Sequence, residues 1–475
     1  MNLFKKILPC VVLTVVVLLG LYLLPTPAQA ATEGYFTYEI NDGKATITGC
    51  DNAISGDVTI PDTLGGCPVT SIGDFAFRYC SSLTSITIPD SVTSIGDSAV
   101  RYCSSLTSIN IPDSVTSIGE YAFDGCSSLT SINIPEGVTS IGYYAFGDCR
   151  SLTNVYITDL AAWLKISFGG SCANPLQYAG GTLYVNGEPL THVDIPAGIT
   201  KVPDYVFAGC KGFASITIPD SVTSIRMQAF HDCSSLTSIT IPESVISISD
   251  WAFMNCNSLT TITISEGVTS IGRYAFEGCS SLTAIIIPDS VTHIDNYAFY
   301  GCSSLTAVTL PDIVTYFGGG VFYNCESLKS INFSDGISFI GSEAFYNCSS
   351  LTSITIPERV TFIGNDAFYN CSNLKAVYYA GSEEQWNAIS VGINNNSLLD
   401  ATTFYNSSGN PDFTGDGEIT DADAVYLLRH TLFPEDYPLS KTVDFNADGI
   451  LSDADAVYLL RHTLFPEDYP LFPKK

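Results

Sequence analysis

The apolar and polar positions of this chain repeat as a sentence of fixed length. A typical copy reads Val115-Thr-Ser-Ile118-Gly119-Glu-Tyr-Ala122-Phe123-Asp-Gly-Cys126-Ser-Ser-Leu129-Thr-Ser-Ile132-Asn-Ile134-Pro135. Its apolar positions are Val, Ile, Ala, Phe, Cys, Leu, Ile and Ile, and everything between them is polar or small. Cysteine marks the beat: Cys80, Cys103, Cys126 and Cys149, then Cys210, Cys233, Cys256, Cys279, Cys302, Cys325, Cys348 and Cys371, with successive members of each run 23 residues apart. A fixed period of this kind is the mark of a solenoid. Ile132 and Ile134 lie two apart, which places both on the inner face of a short strand. Pro135 has no N–H and so ends that strand. Gly119 is expected at a corner that needs positive φ. Ala122-Phe123-x-x-Cys126 is too short for a full helix and predicts a single helical turn or tight coil. One copy cannot bury its own apolar face, so the copies stack. At roughly 4.8 Å per rung, a dozen of them reach about 60 Å.

The beat slips between Ile157 and Ile195, an interval that holds roughly one degenerate repeat plus an insertion over about 158–195. This insert carries Trp163, Phe168, Tyr178 and Tyr184, then Val185-Asn186-Gly187-Glu188, a hairpin signal. Its aromatic residues are expected to pack the insert onto the solenoid; a sugar-binding platform is the other reading. Cys172 falls on the beat after Cys149, but Gly-Gly-Ser-Cys-Ala-Asn-Pro around it does not match the repeat. Residues 32–57, with the turn Asn41-Asp42-Gly43-Lys44, read as an N-terminal cap, and residues 380–405, with Trp386 and Tyr405, as its C-terminal counterpart. Solenoids need such ends to hide their terminal core faces. The repeats themselves occupy 58–379, and 406–411 form a short linker rich in Asn, Ser and Gly.

The chain has 16 cysteines. As a column of free thiols the repeat cysteines are small buried hydrophobes. Disulfides between rungs, a metal site or a catalytic thiol are the alternatives, and the repeat offers neither Cys-x-x-Cys nor a regular His partner. Cys50 and Cys67 precede the column and are the candidate disulfide pair. Residues 1–30 read as a secretory signal: Lys5 and Lys6, an apolar stretch from Ile7 to Leu24, then Ala28-Gln29-Ala30 as the small-x-small cleavage site. An uncleaved anchor is the alternative, since the stretch approaches spanning length. The protein is therefore expected to be secreted or extracellular, with no membrane span once the signal is cleaved.

The sentence Ile-Pro-x-x-Val-Thr-Ser-Ile-Gly-x-x-Ala-Phe-x-x-Cys-x-Ser-Leu closely resembles the BspA-type leucine-rich repeats of bacterial surface and secreted proteins. Leu129-x-x-Ile132-x-Ile134 is the strand signature. The resemblance covers about residues 58–379, with lapses at Val100, Pro203, Phe213 and Val321. It implies a β-rich leucine-rich-repeat solenoid used for adhesion or protein binding, with no catalytic residues and no single ligand.

After the linker the pattern changes. Asp412-Phe-Thr414-Gly-Asp416-Gly417-Glu418-Ile419-Thr420-Asp421-Ala422-Asp423 returns 32 residues later as Asp444-Phe-Asn446-Ala-Asp448-Gly449-Ile450-Leu451-Ser452-Asp453-Ala454-Asp455. This is the calcium-loop pattern, in which side-chain and backbone oxygens converge on a hard cation and glycine makes the sharp turn. The ligand positions are Asp412, Thr414, Asp416, Glu418, Thr420 and Asp423, and Asp444, Asn446, Asp448, Ile450, Ser452 and Asp455. Thr414 in place of Asn or Asp is expected to weaken the first site. Each loop leads into Ala-Val-Tyr-Leu-Leu-Arg-His, a helix with an apolar face, and two such units in tandem are a strong signal. Residues 412–475 resemble a type I dockerin, a small all-α module of tandem EF-hand-like loop–helix units folded by two calcium ions. The resemblance implies docking onto a cohesin module of a cellulosome-like scaffold or cell surface. It carries the docking role onto Asp421, Ala422, Leu428 and Arg429, and onto Asp453, Ala454, Leu460 and Arg461. The acidic first member of each pair departs from the small or hydroxyl residues usual there.

Charge narrows the partners. The 19 Lys+Arg stand against 48 Asp+Glu, for a net charge of −29. This excludes an ordinary nucleic-acid binder, which needs a basic footprint. Of that total the tail from Asp412 accounts for −8, part of it calcium ligands, the solenoid with its caps for −23, and residues 1–30 for +2. Like-charge repulsion that keeps a secreted solenoid soluble accounts for the acidity, and complementarity to a basic partner is the sharper reading. No His-Glu-x-x-His, Gly-x-Ser-x-Gly, phosphate loop or zinc spacing occurs, and His numbers five. The expectation is a secreted, non-catalytic binding or adhesion protein whose solenoid holds a protein or glycan. The alternative is an accessory component of a polysaccharide-degrading complex, with carbohydrate-binding, hydrolase or protease-inhibitor activity in the solenoid.

Overall fold

The computed structural model describes residues 30–51, 53–170, 172–333, 335–405 and Leu459. Each repeat makes one rung with two strands. The first, such as Ser131–Asn133, pairs in parallel with its successor Asn154–Ile157; the second, such as Ser117–Ile118, pairs in parallel with Ser140–Ile141. Parallel pairing follows from translation, because each rung repeats the one before it. Inward residues are buried throughout, Ile132 and Ile134 being 2% exposed. The one-face alternation expected from the sequence is therefore present.

The third side of the rung is a run of turns, with no helix. Here Phe123 N donates to Ala145 O (2.8 Å) and Tyr121 N to Tyr143 O (2.9 Å), so even the turns form a ladder between rungs. Phe side chains stack along it: Phe253, Phe276 and Phe299 lie at 5.3 Å between successive ring centroids, within 4° of parallel. The expectation for Gly119 is overturned in its cause. Positive φ falls on Tyr121 (55°) and Gly125 (77°), whereas Gly119 is needed for close approach. A Cβ at Gly119 would lie 2.5 Å from Asp97 Oδ1 and 2.6 Å from Asp97 N. Left-handed backbone at a tyrosine is costly, and the inter-rung hydrogen bonds hold it there.

The twelve repeat cysteines are free and buried. Most of them also have a hydrogen-bonding role that the repeat pattern does not reveal. Cys103, Cys126 and Cys279 donate to Phe77 O (3.0 Å), Val100 O (3.2 Å) and Phe253 O (3.2 Å), each from the neighbouring rung. Burial pushes the Cys279 thiol up to about 12, so it stays a protonated donor. Cys50 and Cys67 do not meet. Parallel pairing of Ala45 with Val69 and Ile47 with Ile72 puts them at opposite ends of adjoining strands, and Cys50 lies instead against Cys80.

At the N-terminal end, Phe36–Asn41 and Lys44–Cys50 form an antiparallel hairpin through Asp42 and Gly43, both at positive φ. Its inner residues Phe36, Tyr38, Ala45 and Ile47 are buried over the first rung. In the insert a short helix, Leu160–Trp163, is capped by Asp159. Trp163 is 1% exposed and donates through Nε1 to Val206 O at 3.0 Å. Asn174, fully buried, donates to Tyr205 O and Val206 O. Trp163 and Asn174 thus stitch the insert to the next rung and Phe168 packs beneath Trp163, as the packing reading expects, while Tyr178 remains exposed. Thr182–Val185 and Glu188–Pro189 make the hairpin through Asn186 and Gly187.

Candidate binding face

The second-strand ladder exposes one column of side chains. Its members in the first run are Ser71, Ser94, Ser117, Ser140 and Ser167, in register with one another. In the second run they are Ser224, Ser247, Ser270, His293, Tyr316, and then Phe339 and Phe362. Alternation keeps the neighbours Ile225, Ile248, Ile271, Ile294, Phe317, Ile340 and Ile363 in the core. The outward residue is thereby free of any packing duty. Serines keep this face low, and one pair, Ser71 and Ser94, is hydrogen bonded at 2.9 Å.

The column changes character at His293. The His293 and Tyr316 rings stack at 5.7 Å and 19°, Tyr316 meets Phe339 edge-on at 6.0 Å and 70°, and Phe362 is 45% exposed. Beside this wall lies an open groove of about 640 Å³, lined by Ser247, Ser270, His293 and Tyr316 on the floor and by Asp204, Arg226, Asp250 and Asp295 at its edge. A similar groove of about 420 Å³ runs over Ser94, Ser117 and Ser140 beside Asp74, Asp97 and Glu120.

Several of these edge acids have a structural duty. Asp74 Oδ1 accepts from Asp97 N (2.8 Å), Asp97 Oδ1 from Glu120 N (2.7 Å), and Asp250 Oδ1 from Arg273 N (2.9 Å). The turn after the glycine leaves that N–H without a backbone partner, and the preceding rung's carboxylate satisfies it. Asp204 does the same for Met227 N at 3.1 Å while lying 3.6 Å from Arg226 Nε. Part of the chain's acidity therefore fastens rungs together while still presenting negative charge to solvent. Composition alone did not reveal this use.

A second stripe, of half-buried tyrosines, runs along the turns, where Tyr300, Tyr323, Tyr346 and the exposed Tyr369 stack at 5.0, 4.4 and 4.8 Å. Their faces are turned to one another, so they offer mostly edges and hydroxyls. Among the described residues no group of three or more His, Cys, Asp or Glu is placed to hold a metal ion, and no helix is long and apolar enough to cross a membrane. The calcium-loop and docking positions between Asp412 and Arg461 lie outside the described residues.

The model of the BspA type leucine rich repeat region, in 6 copies, matches residues 52–171, 180–306 and 292–408. A leucine rich cell surface protein from Faecalibacterium prausnitzii is similar in structure, with 34% identity, 77% of this chain and 99% of that chain covered, and a TM-score of 0.52. A leucine-rich repeat protein from Bacteroides ovatus shows 27% identity over 79% of this chain and 99% of its own, with a TM-score of 0.51. The pneumococcal vaccine antigen PcpA, 19% identical over 77% of this chain and 98% of its own with a TM-score of 0.53, shares the fold. No curated protein matches the chain. With its repeat period, inward ladders and solved counterparts in agreement, this chain belongs to the BspA-type leucine-rich-repeat family.

Proposed function

We propose that the protein is a non-catalytic adhesion protein that works outside the cell and captures a protein ligand on the face running from Ser247 to Phe362. The observation that carries this reading is the switch of one solvent-facing column from serine to His293, Tyr316, Phe339 and Phe362. The fold gains no core from these side chains, and exposed aromatic residues grouped on one surface mark interaction sites. A protein ligand suits them better than a glycan. Sugar rings stack on open aromatic faces, and the His293–Tyr316 stack covers the faces it shares. Asp204, Asp250 and Asp295, against the single Arg226, favour a ligand that brings basic side chains beside its apolar ones. The Faecalibacterium relative is a cell surface protein, which agrees with an exported role.

The tail supplies the attachment. Its tandem loops support a dockerin that folds around two calcium ions and presents Asp421, Ala422, Leu428 and Arg429, or their duplicates Asp453, Ala454, Leu460 and Arg461, to a cohesin. The signal-like residues 1–30 agree with export. The test uses the full chain and the triple variant Tyr316→Ser, Phe339→Ser, Phe362→Ser, immobilised and exposed to candidate surface proteins and to a glycan array. The wild type should retain a protein that the variant loses, while both bind cohesin in calcium and release it in EDTA. Equal capture by the variant, or binding of glycans alone, would sink the ligand face; cohesin binding unaffected by chelation would sink the dockerin.

A further inference from the structure

Cys80 is the first cysteine of the column, and its environment differs from that of the later ones. Most rungs after it send the thiol to a main-chain carbonyl 26 residues earlier: Cys103 to Phe77, Cys126 to Val100, Cys149 to Phe123, and so on to Cys371 with Phe345. At Cys80 the contact is instead another sulfur. Cys50, the last residue of the strand Lys44–Cys50, places its Sγ 2.7 Å from that of Cys80. That is well inside the separation at which two unbonded sulfur atoms rest. Cys80 is fully buried, while Cys50 is partly exposed and open to a reagent in solution.

We propose that Cys50 and Cys80 form a disulfide that ties the N-terminal hairpin to the first rung of the solenoid. The oxidant is a disulfide, carried by a small thiol or by a protein. Cys50, the partly exposed member, gives up its proton and attacks it, forming a mixed disulfide and releasing one thiolate of the oxidant. The Cys80 thiolate then attacks Cys50 Sγ and expels the second. Two protons and two electrons leave the pair, and the oxidant becomes two thiols. In the reduced pair the hydrogen bond from Cys50 holds the Cys80 thiol below its ordinary value, while that same bond and burial push the Cys50 thiol up, so the step rests on the contact between the two sulfurs and on the access to Cys50. Later rungs lack this chemistry because carbonyl oxygens accept their hydrogens and burial pushes their thiols up, as at Cys126 and Cys302.

The placement gives the bond a purpose. The hairpin covers the open end of the stack, where fraying would begin, and a terminal rung has a neighbour on one side only. Closing the chain between residues 50 and 80 restricts both the frayed end and the unfolded chain.

The native full chain is incubated with oxidised glutathione, unfolded in an alkylating agent without reductant, and mapped by mass spectrometry. A cross-linked peptide pair containing Cys50 and Cys80 is expected, with Cys103 and the later column cysteines alkylated. Complete alkylation of both Cys50 and Cys80, or a link from Cys50 to Cys67, would overturn the proposal. Reductant should lower the melting temperature of the oxidised wild type and leave Cys50→Ser unmoved. Should that variant fail to fold, the wild-type map alone decides.

Discussion

Replacing Phe276 by alanine should divide the solenoid. The ring is fully buried between Phe253 and Phe299, 5.3 Å from each and nearly parallel to both. Truncating a buried Phe costs about 3–5 kcal/mol through lost transfer energy and the cavity left behind. Each stacked pair contributes about 0.5–1.5 kcal/mol beyond its buried area, which puts the loss at the upper end of that range. In a stacked array this loss falls on the two interfaces of one rung, because each rung touches only its neighbours. A deficit of about 4–5 kcal/mol, shared between those two interfaces, makes this rung the weakest coupling in the array. The rungs on either side should then unfold separately. The three tryptophans, Trp163, Trp251 and Trp386, report on different stretches of the chain. Single-tryptophan versions followed through a urea titration should show coincident transitions in the parent and separated ones in Phe276→Ala. Val100 sits fully buried in the same column, so Phe276→Val should keep the transitions together and lower the midpoint modestly. If Phe276→Ala still unfolds in one coincident step, with a loss below about 1 kcal/mol, the ladder is not a nearest-neighbour stack and the reasoning fails.

Two further outcomes follow from the thiol column and from the half-buried His231. Cys279→Ala removes both the sulfur and the donor to Phe253 O, and should cost about 1–2 kcal/mol by denaturant unfolding; Cys279→Ser keeps a donor and should cost less if the hydrogen bond dominates, whereas a larger cost for serine would show the thiol acting chiefly as an apolar filler. Burial lowers the pKa of His231 below 6.5, against the opposing charge of Asp232 at 3.6 Å, and its Nδ1 has no hydrogen-bond partner. The unfolded imidazole takes a proton before the folded one does, so this contribution to stability is present above 6.5 and is lost as pH falls through the window below it. His231→Leu should flatten the decline of the urea midpoint between about pH 7 and about pH 5.5, and an unchanged slope would show that the ring titrates normally.

How much of this was readable in the sequence depended on whether a feature repeats. The inward ladders follow from two spacings, and a periodic chain has only one way to bury Ile132, Ile134 and Phe123 together, so the fold came through. Gly119 was assigned to the right corner for the wrong reason, because the pattern shows that a residue must be small without showing what crowds it. Only the stacked geometry shows that Asp97 of the preceding rung fills the space and that Tyr121 takes the left-handed φ. The Cys50–Cys67 pairing failed on register, since adjacency in sequence says nothing about which ends of parallel strands meet. The insert hid a relation as well. Trp163, Ser167 and Gly169 stand to Ser140 and Gly142 much as Trp386, Ser390 and Gly392 stand to Phe362 and Gly364, each with a buried asparagine, Asn174 or Asn395, closing the turn. The interruption and the C-terminal end are therefore built on a shared Trp-bearing rung, and the aligned residues could have shown this in advance. The proposed binding face rests on the same logic. Core columns repeat because packing compels them to, so an outward column that departs from its own rule, from Ser270 to His293, Tyr316, Phe339 and Phe362, departs for a reason outside the fold. In a repeat protein, ligand contacts are to be sought at solvent-facing positions where the repetition fails while the buried column beside them, here Ile271, Ile294, Phe317, Ile340 and Ile363, continues.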